Sequence, residues 1–419
     1  MHSAARSGPR PWARPADDVL GYVLYPTTPD EFLRTHFEKA PLHIARDDAA
    51  YFSDVYDIAE VESSISVGGS DYERFLLVKS GSPPVLPEQM TIERRNPRTR
   101  HTGRPPMMVL DFRSVLSYFD RGYTLVIKDA SPLSAKLQKF LNRLQQRLGF
   151  YVQANVYFTP PKAQGFDVHH DTHDTLVMQI SGTKTWRIYQ PAVELPIETQ
   201  PFSKEEHGEG LRLHSEVKLS AGDTLYVPHG FPHEAASADE TSLHVTLAMC
   251  PLRAIDLLEA MLDLAAVTDV EFRRSLPPGW HESQEFAEEF AALIRRRLPM
   301  AMRPSLVAPA SEMILRDMFA VTRTEAGGAF EEWQRFAELR MDNVLSLRDD
   351  VPYLIRRTGK TVEVLIAGKS LAFPAAYNSV FERLQEGPTT VPELDKLLPA
   401  NVGRALVKML MIEGLIVVS

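Results

Sequence analysis

The sequence has little cysteine, no excess of positive charge and no long apolar run. Its 419 residues include one cysteine, Cys250, which excludes an internal disulfide and a metal site built from several cysteines. No stretch approaches the roughly 18 to 20 apolar residues that a membrane helix needs, and the start, MHSAARSGPRPWARPADD, lacks the apolar segment of a signal peptide. We therefore expect a cytoplasmic protein with a flexible arm over residues 1–18, without membrane contact, in which Cys250 is a buried small side chain.

The charge balance argues against a protein that wraps duplex DNA, because 46 basic and 55 acidic side chains give a net charge of -9. A local basic stretch, Arg94–Arg104, could contact RNA or an acidic peptide, although a solvated loop is the simpler interpretation. Hydrophobic residues make up 44% of the chain and charged residues 24%, which is typical of a globular protein. The length predicts two or three domains.

The order of predicted elements suggests three regions. Thr28–Glu31 reads as the start of a helix that runs to about Lys39, and a second helix runs from about residue 133 to Gly149. Short β-branched and aromatic segments follow at 150–158, 175–180, 185–189, 216–219, 223–228 and 242–249, with Ser181-Gly182 as a tight hairpin between two of them. Such strands predict a small antiparallel barrel or sandwich.

The remainder of the chain is predicted to be mostly helical. Helical spacing of apolar residues continues from Pro251 to about Leu347. A small terminal module then combines a strand near 361–366, a helix over 375–384, a capping box at Thr390 and Glu393, a helix over 402–412 and a final strand over 415–418.

Histidines concentrate in one part of the chain, since eight of the 13 lie between His169 and His244. The segment 167–174, DVHHDTHD, read as a strand, places His169 and Asp171 on one face, where both could reach one ion. Two histidines and one carboxylate are the ligand set of non-haem Fe(II) oxygenases, and VPHGFPH at 227–233 could supply another histidine. Two alternatives remain: His169 and His173 at helical spacing, as in zinc sites, or a polar loop of solvated side chains.

The run HHDTHDTLVMQISGTKTWRIY over 169–189 resembles the JmjC-type Fe(II)/2-oxoglutarate oxygenases, and it is most similar to the cupin-like subgroup that includes ribosomal oxygenases. The residues that match the family pattern are His169, Asp171, Gln179, Gly182, Lys184, Trp186 and Arg187. The stretch GDTLYVP at 222–228, closed by His233, is similar to the second half of the family motif. The resemblance implies that His169, Asp171 and His233 bind iron.

The co-substrate residues follow from the resemblance and from the local pattern together. The far carboxylate of 2-oxoglutarate needs a cation, and Lys184 occupies the position of the family's Lys or Arg; the alternative is an exposed hairpin lysine. Asn155 and Tyr157 share a strand face, as do His244 and Thr246, and the resemblance assigns Asn155, Tyr157 and Thr246 to co-substrate binding. His170 and His173 are expected at the rim or behind the ligands, His229 at the surface or rim, and Asp174 as a group that orients a ligand or caps a turn.

The resemblance implies an α+β fold with a double-stranded β-helix (JmjC/cupin) core. The predicted domains are the arm 1–18, the catalytic domain 19–250, a helical domain 251–350 that is expected to form a homodimer, and a winged-helix-like domain 351–419 without specific DNA binding. The implied activity uses Fe(II), 2-oxoglutarate and O2 to hydroxylate a protein side chain, such as His or Arg of a ribosomal protein, with succinate and CO2 as co-products. The alternatives are the same chemistry on a biosynthetic peptide, a small molecule or methyl-lysine, and a non-catalytic metal-binding scaffold.

Overall fold

The structure is a computed structural model that describes residues 18–95, 106–321, 329–337, 340, 342–398 and 402–418. The chain divides into two compact units, Met1–Cys250 and Pro251–Ser419. The predicted arm, apart from Asp18, lies outside the described residues, as does most of the Arg94–Arg104 stretch. Within the described residues, no helix is long and apolar enough to cross a membrane.

The first unit combines seven helices with twelve strands in its described part. The helices are α1 (Val19–Leu24), α2 (Pro29–Thr35), α3 (Ile58–Gly68), α4 (Pro87–Met90), α5 (Phe112–Asp120), α6 (Ala135–Leu148) and α7 (Lys204–His207). The strands are β1 (Leu42–Ile44), β2 (Phe75–Val78), β3 (Thr91–Arg94), β4 (Met107–Leu110), β5 (Thr124–Ile127), β6 (Tyr151–Thr159), β7 (Asp174–Ser181), β8 (Lys184–Tyr189), β9 (Leu213–Leu219), β10 (Thr224–Val227), β11 (His233–Ser237) and β12 (Ser242–Cys250).

Local sequence signals set the ends of the two predicted helices. The Thr28 hydroxyl accepts a hydrogen bond from the Glu31 backbone N–H at the start of α2, which supplies one of the partners that a helix N-terminus lacks. The Ser134 hydroxyl caps α6 in the same way, and Gly149 ends α6 in the left-handed conformation. Helix α2 ends at Thr35, which is earlier than predicted.

Two antiparallel sheets pack against each other in the first unit. One has seven strands in the order β1-β10-β7-β12-β6-β5-β2, and the other has three in the order β11-β8-β9. Apolar side chains from both sheets share one buried cluster, which includes Val177 of β7, Trp186 and Ile188 of β8, and Val227 of β10. Burial of each such side chain contributes roughly 1.5–3 kcal/mol, so the two sheets form one sandwich, as the strand pattern predicts.

Gly182 lies where the chain passes from one sheet to the other. Strand β7 pairs with β10 and β12 in the large sheet, whereas β8 pairs with β9 and β11 in the small one. The predicted hairpin at Ser181-Gly182 is therefore wrong. Gly182 has a φ of 64°, and a Cβ atom there would lie 1.8 Å from the Thr241 carbonyl oxygen, so this crossing requires glycine.

The second unit contains helices and two small sheets. The helices are α8 (Ala254–Thr268), α9 (Phe286–Ala301), α10 (Val307–Val321), α11 (Ala329–Ala337), α12 (Asn378–Glu386), α13 (Val391–Asp395) and α14 (Gly403–Ile412). The strands are β13 (Val344–Leu347), β14 (Tyr353–Thr358), β15 (Thr361–Ile366), β16 (Lys369–Pro374), β17 (Thr389–Thr390) and β18 (Ile416–Val418). They form sheets in the orders β17-β13-β18 and β14-β15-β16.

The elements that the sequence predicts in the second unit are only partly correct. The capping box is present, since the Thr390 backbone N–H donates to the Glu393 carboxylate at the start of α13. Residues 344–347 form a strand instead of the predicted helix, because β13 pairs with β17 and β18 from the end of the chain. The winged-helix assignment of 351–419 and the four-domain division remain predictions.

Candidate metal centre

His169, Asp171 and His233, which we call the central cluster, converge although they lie far apart in the chain. The segment of His169 and Asp171 is an irregular stretch that leads into β7, not the strand that we predicted. His169 forms an isolated antiparallel bridge with His233, in which the His233 N–H donates to the His169 carbonyl at 2.8 Å and the His169 N–H to the His233 carbonyl at 3.2 Å. This bridge joins the start of β11 to the His-x-Asp segment.

Backbone carbonyls orient both imidazole rings of the central cluster. His169 Nδ1 lies 2.8 Å from the Asp167 carbonyl oxygen, and His233 Nδ1 lies 3.0 Å from the Phe231 carbonyl oxygen. Because a carbonyl only accepts hydrogen bonds, each Nδ1 carries the proton and each Nε2 carries a lone pair, as in metal-binding histidines. The two Nε2 atoms lie 3.9 and 3.7 Å from the Asp171 carboxylate. These distances are too long for hydrogen bonds, and the three donor groups lie within 4.8 Å of one another.

The electrostatics of the cluster favour the protonation states that bind a metal. Burial by itself raises the pKa of Asp171. This effect is outweighed by the adjacent His233, His173 and His169 rings and by a hydrogen bond from the Thr175 hydroxyl (3.0 Å), so the net pKa lies below its usual value. Burial, followed by the charge of His169, lowers the pKa of His233 to about 4. At neutral pH the carboxylate is ionised and His233 is neutral, which are the forms that coordinate metals.

A cavity of about 350 Å³ lies beside the central cluster, between the two sheets. All seven predicted site residues line it: His169, Asp171, His233, Lys184, Asn155, Tyr157 and Thr246. Strand register explains part of this convergence, because β12 pairs with β6 so that Thr246 lies opposite Asn155, and His244 lies opposite Tyr157. Sequence positions from four strands and one loop therefore meet around one cavity.

Lys184 is buried at the first position of β8, with 3% of its surface exposed. Its Nζ donates to the Thr159 hydroxyl at 3.0 Å, and Thr124 Oγ1 donates to the same hydroxyl oxygen at 3.2 Å. Among the described residues, no carboxylate lies within ion-pair distance of Lys184, and burial lowers its pKa to about 7. A buried ammonium without a counter-ion is costly, so this end of the cavity suits an anionic ligand. The alternative of an exposed hairpin lysine is wrong.

The other three predicted residues contribute polar groups to the cavity wall. Asn155 Oδ1 accepts a hydrogen bond from the Asp129 backbone N–H at 3.0 Å. The Tyr157 ring stacks on the His244 ring, with centroids 4.8 Å apart, and burial and the Asp171 charge raise the pKa of Tyr157. Thr246 is buried on β12.

Four lining or supporting residues were not assigned from the sequence: Thr124, Thr159, Trp186 and His244. Within the described chain, Trp186 Nε1 and His244 Nδ1 are buried without a hydrogen-bond partner, which suits a cavity that holds a polar ligand. The period-2 pattern could have indicated Thr159, since it follows Tyr157 by two positions, and His244, since it precedes Thr246 by two. Trp186 is one of the residues that match the family pattern, but the sequence analysis assigned no function to it.

A second group of similar composition lies outside the cavity wall: Glu38, Asp174 and His229, which we call the flanking cluster. Their potential ligand atoms also lie within 4.8 Å of one another. Asp174 is fully buried, and His229 is 5% exposed, so the expectation that His229 lies at the surface is wrong. His229 Nδ1 lies 2.7 Å from Asp174 Oδ1.

The remaining histidines and the cysteine also have defined positions. His170 is buried, and its Nε2 lies 3.1 Å from the Gln200 carbonyl oxygen, so it ties the His-x-Asp segment to a neighbouring loop. His173 lines the cavity without joining the central cluster. Cys250 is exposed at the end of β12, contrary to the expectation of a buried side chain.

Comparison with known protein families matches the part of the chain that contains the central cluster. Residues 131–257 match the family described as JmjC domain. Ribosomal oxygenase 1 of Gallus gallus is 33% identical over 275 residues, which cover 63% of this chain and 43% of that protein. The Drosophila persimilis protein named bifunctional lysine-specific demethylase and histidyl-hydroxylase NO66 is 31% identical over 266 residues, covering 62% of this chain and 36% of that protein. The match thus spans less than half the length of these relatives.

Solved structures agree on the fold. The crystal structure of Escherichia coli ribosomal oxygenase YcfD covers 94% of this chain and 98% of its own, with a TM-score of 0.53 and 16% identity. The YcfD complex with cobalt and 2-oxoglutarate covers 93% of this chain and 98% of its own, with a TM-score of 0.51 and 15% identity. These likenesses confirm the predicted α+β fold with its double-stranded β-helix core. Residues 131–257 are thus similar to the JmjC domain family, and the chain is similar in sequence to ribosomal oxygenase 1 over 275 residues.

Proposed function

We propose that this chain is an Fe(II)- and 2-oxoglutarate-dependent oxygenase whose metal ligands are His169, Asp171 and His233. One observation carries the proposal: two imidazole nitrogens and a carboxylate converge beside a cavity whose buried Lys184 has no counter-ion among the described residues. The residue types support iron, since two histidines and one carboxylate with open positions form the ligand set of non-haem Fe(II) oxygenases. Bound iron supplies the oxidation of a C–H bond with O2.

The side chains of the cavity would bind the co-substrate. Lys184 would pair with the far carboxylate of 2-oxoglutarate, and the Thr159 hydroxyl, which already contacts Nζ at 3.0 Å, holds the ammonium in place. Asn155, Tyr157 and Thr246 would contact the remaining polar groups. The two sheets exclude water around Lys184, which strengthens its attraction to an anion.

The proposed substrate is a protein side chain, such as His or Arg of a ribosomal protein. The names of the relatives support this choice, because they include ribosomal oxygenases and a histidyl-hydroxylase. One of those names also includes lysine demethylation, so that reaction is the main alternative, followed by a small molecule or a biosynthetic peptide. Product mass separates the two main reactions: hydroxylation adds about 16 Da, whereas demethylation removes a methyl group.

An anaerobic optical titration tests the cofactor assignment directly. Fe(II) and then 2-oxoglutarate are added to the purified protein, and the metal-to-ligand charge-transfer band is recorded. We expect a band in the wild type, none in Asp171→Ala, and a band that needs far more 2-oxoglutarate in Lys184→Ala. Absence of the band in the wild type, together with absence of bound metal, would leave the chain as a non-catalytic scaffold.

We infer in addition that the helical region 251–350 forms a homodimer interface. Phe290, Ile294 and Leu298 recur every four residues on α9, and each exposes more than a third of its surface, so α9 presents an apolar stripe to solvent. The molar mass measured by light scattering tests this, with a dimer in the wild type and a monomer in Ile294→Glu as the expected result. A monomeric wild type would refute the interface.

A further inference from the structure

We propose that the hydrogen-bonded pair Asp174–His229 is a positioning pair for the metal centre: it fixes the spacing between the two chain segments that carry the ligands. The proposal rests on the proposed function, because it takes the central cluster to be the metal site. Neither Asp174 nor His229 lines the cavity, so the pair contacts neither substrate nor co-substrate and acts only through the segments it joins.

The pair is buried and well defined. Asp174 has no exposed surface and is the first residue of β7, three positions after the ligand Asp171. His229 lies in the connection between β10 and β11, four positions before the ligand His233. The Asp174 Oδ1 atom accepts two hydrogen bonds from His229, one from its backbone N–H at 3.0 Å and one from its Nδ1 at 2.7 Å.

Within the described part of the chain, three hydrogen-bonded contacts connect the two ligand-bearing segments, and the β7–β10 ladder begins next to them at Thr175 and Val227. The bridge between His169 and His233 joins them at the ligands themselves. The Gly230 backbone N–H donates to the Asp171 carbonyl at 3.1 Å, and Asp174–His229 closes the connection beyond the cavity. Of these three contacts, only the last forms its hydrogen bonds with side chains, so its hydrogen bonds are the ones that a point mutation can remove.

Loss of the pair should reach the metal through the backbone. Without Asp174, the His229 N–H and Nδ1 lose their partner in a buried place, and the β10–β11 connection must move to find another. His233 follows in the same connection, and its imidazole is held by the Phe231 carbonyl two residues earlier. Metal ligands tolerate displacements of only about half an ångström, so a small movement of this connection lowers metal affinity.

The test is a titration of the full-length apo protein with cobalt(II) chloride, followed by the visible d–d absorption bands. Wild type, Asp174→Ala, His229→Ala and His229→Gln are compared, and the midpoint of thermal unfolding is measured for each apo protein. We expect Asp174→Ala to weaken cobalt binding about tenfold or more, in the range known for residues that orient metal ligands. His229→Ala, which keeps the backbone hydrogen bond, should weaken it less, and His229→Gln, which keeps a side-chain donor, should bind nearly as the wild type does.

Asp223→Ala is the matched control. Asp223 is also buried and also accepts hydrogen bonds, from the Arg46 N–H at 2.7 Å and the Ser220 N–H at 2.9 Å, and it lies 3.5 Å from the His43 imidazole. It joins other parts of the domain, so its loss should lower the unfolding temperature and leave cobalt affinity within about twofold. This control separates a positioning role from general stability.

The outcomes are distinct. Cobalt affinity within twofold of the wild type in Asp174→Ala overturns the positioning role, and so does an equal loss in Asp223→Ala. If Asp174→Ala does not fold, the histidine variants decide: weaker binding in His229→Ala with recovery in His229→Gln supports the pair, and unchanged binding in both overturns it. A wild type that binds no cobalt refutes the proposed function instead.

Discussion

The central and flanking clusters contain the same kinds of side chain at similar separations, yet they differ in how those side chains are bonded. In the central cluster, the carbonyls of Asp167 and Phe231 take both imidazole Nδ1 atoms, and the distances to the Asp171 carboxylate are 3.7 and 3.9 Å. In the flanking cluster, His229 Nδ1 contacts the carboxylate of Asp174 directly at 2.7 Å.

This comparison shows that proximity alone does not make a metal site. In the flanking cluster, the His229 imidazole and Asp174 Oδ1 satisfy each other as partners in a hydrogen bond. The central cluster instead directs two imidazole lone pairs and a carboxylate toward a shared space. All three groups are hydrogen-bond acceptors there, so they cannot form hydrogen bonds with one another. This bonding suits the central cluster to a cation, as we propose, whereas the hydrogen bond between Asp174 and His229 makes a structural contact.

The largest expected difference between the clusters concerns the ligands themselves. Asp171→Ala removes one of three donors and leaves two histidines, so cobalt affinity should fall by about a thousandfold or more. Glu38→Ala, in the flanking cluster, should leave the affinity within about twofold. Equilibrium dialysis with metal analysis measures both, and two cobalt ions per wild-type chain would break the comparison by showing that the flanking cluster also binds metal.

Lys184→Met should separate ligand binding from stability. The substitution removes the cation that pairs with the 2-oxoglutarate carboxylate, and a charge-assisted contact in a buried place is strong, so we expect about a hundredfold weaker 2-oxoglutarate binding. The apo protein should become more stable by about 1–3 kcal/mol, because methionine has no charge to bury. Calorimetric titration measures the first effect, and denaturant unfolding measures the second. A Lys184→Met apo protein that is less stable than the wild type would show that Lys184 has a stabilising partner in the folded chain.

The central cluster should also make apo stability depend on pH. His233 stays neutral in the folded protein down to a pKa of about 4, whereas in the unfolded chain it takes up a proton near its ordinary value of 6.5. The unfolded state therefore binds more protons between these values, and stability falls as pH decreases from 6.5 to 4, by about 3 kcal/mol at most. His233→Gln should show a shallower fall in urea unfolding over this window; parallel curves for both proteins would disprove the assignment.

The smallest expected effect comes from the hydroxyl that supports Asp171. Thr175 Oγ1 donates to Asp171 Oδ2 at 3.0 Å, which restricts the carboxylate to one orientation. Thr175→Val should weaken cobalt binding about three- to tenfold, because only one hydrogen bond, from an uncharged donor, is lost. Thr175→Ser serves as the control that retains the hydroxyl and should bind cobalt as the wild type does; equal loss in both would assign the effect to packing.

Much of the central site could be predicted from the sequence, because its residues lie in short recognisable patterns. The His-x-Asp pair, Lys184 two residues after Gly182, and the alternation of Asn155 with Tyr157 are local features, and the structure places all of them around one cavity. The metal and co-substrate roles of these residues still await the titrations above.

The parts that could not be predicted depend on contacts between distant segments. His229 and Asp174 are 55 residues apart, so nothing local indicates that they meet in a buried place. Ser181-Gly182 has the composition of a hairpin turn, but the turn residues do not reveal that β7 and β8 enter different sheets. Similarly, β13 becomes a strand because β17 and β18, which lie more than 40 residues further along the chain, pair with it.

The backbone carbonyls that hold the ligand histidines have a consequence for how this protein can evolve. Each ring is oriented from two residues earlier in its own segment, by Asp167 for His169 and by Phe231 for His233. The hydrogen bonds that orient the two rings therefore come from backbone atoms and not from side chains of the cavity wall. Mutations that reshape the cavity walls can therefore accumulate without removing these hydrogen bonds, so the proposed metal centre could be kept while the protein adapts to new targets.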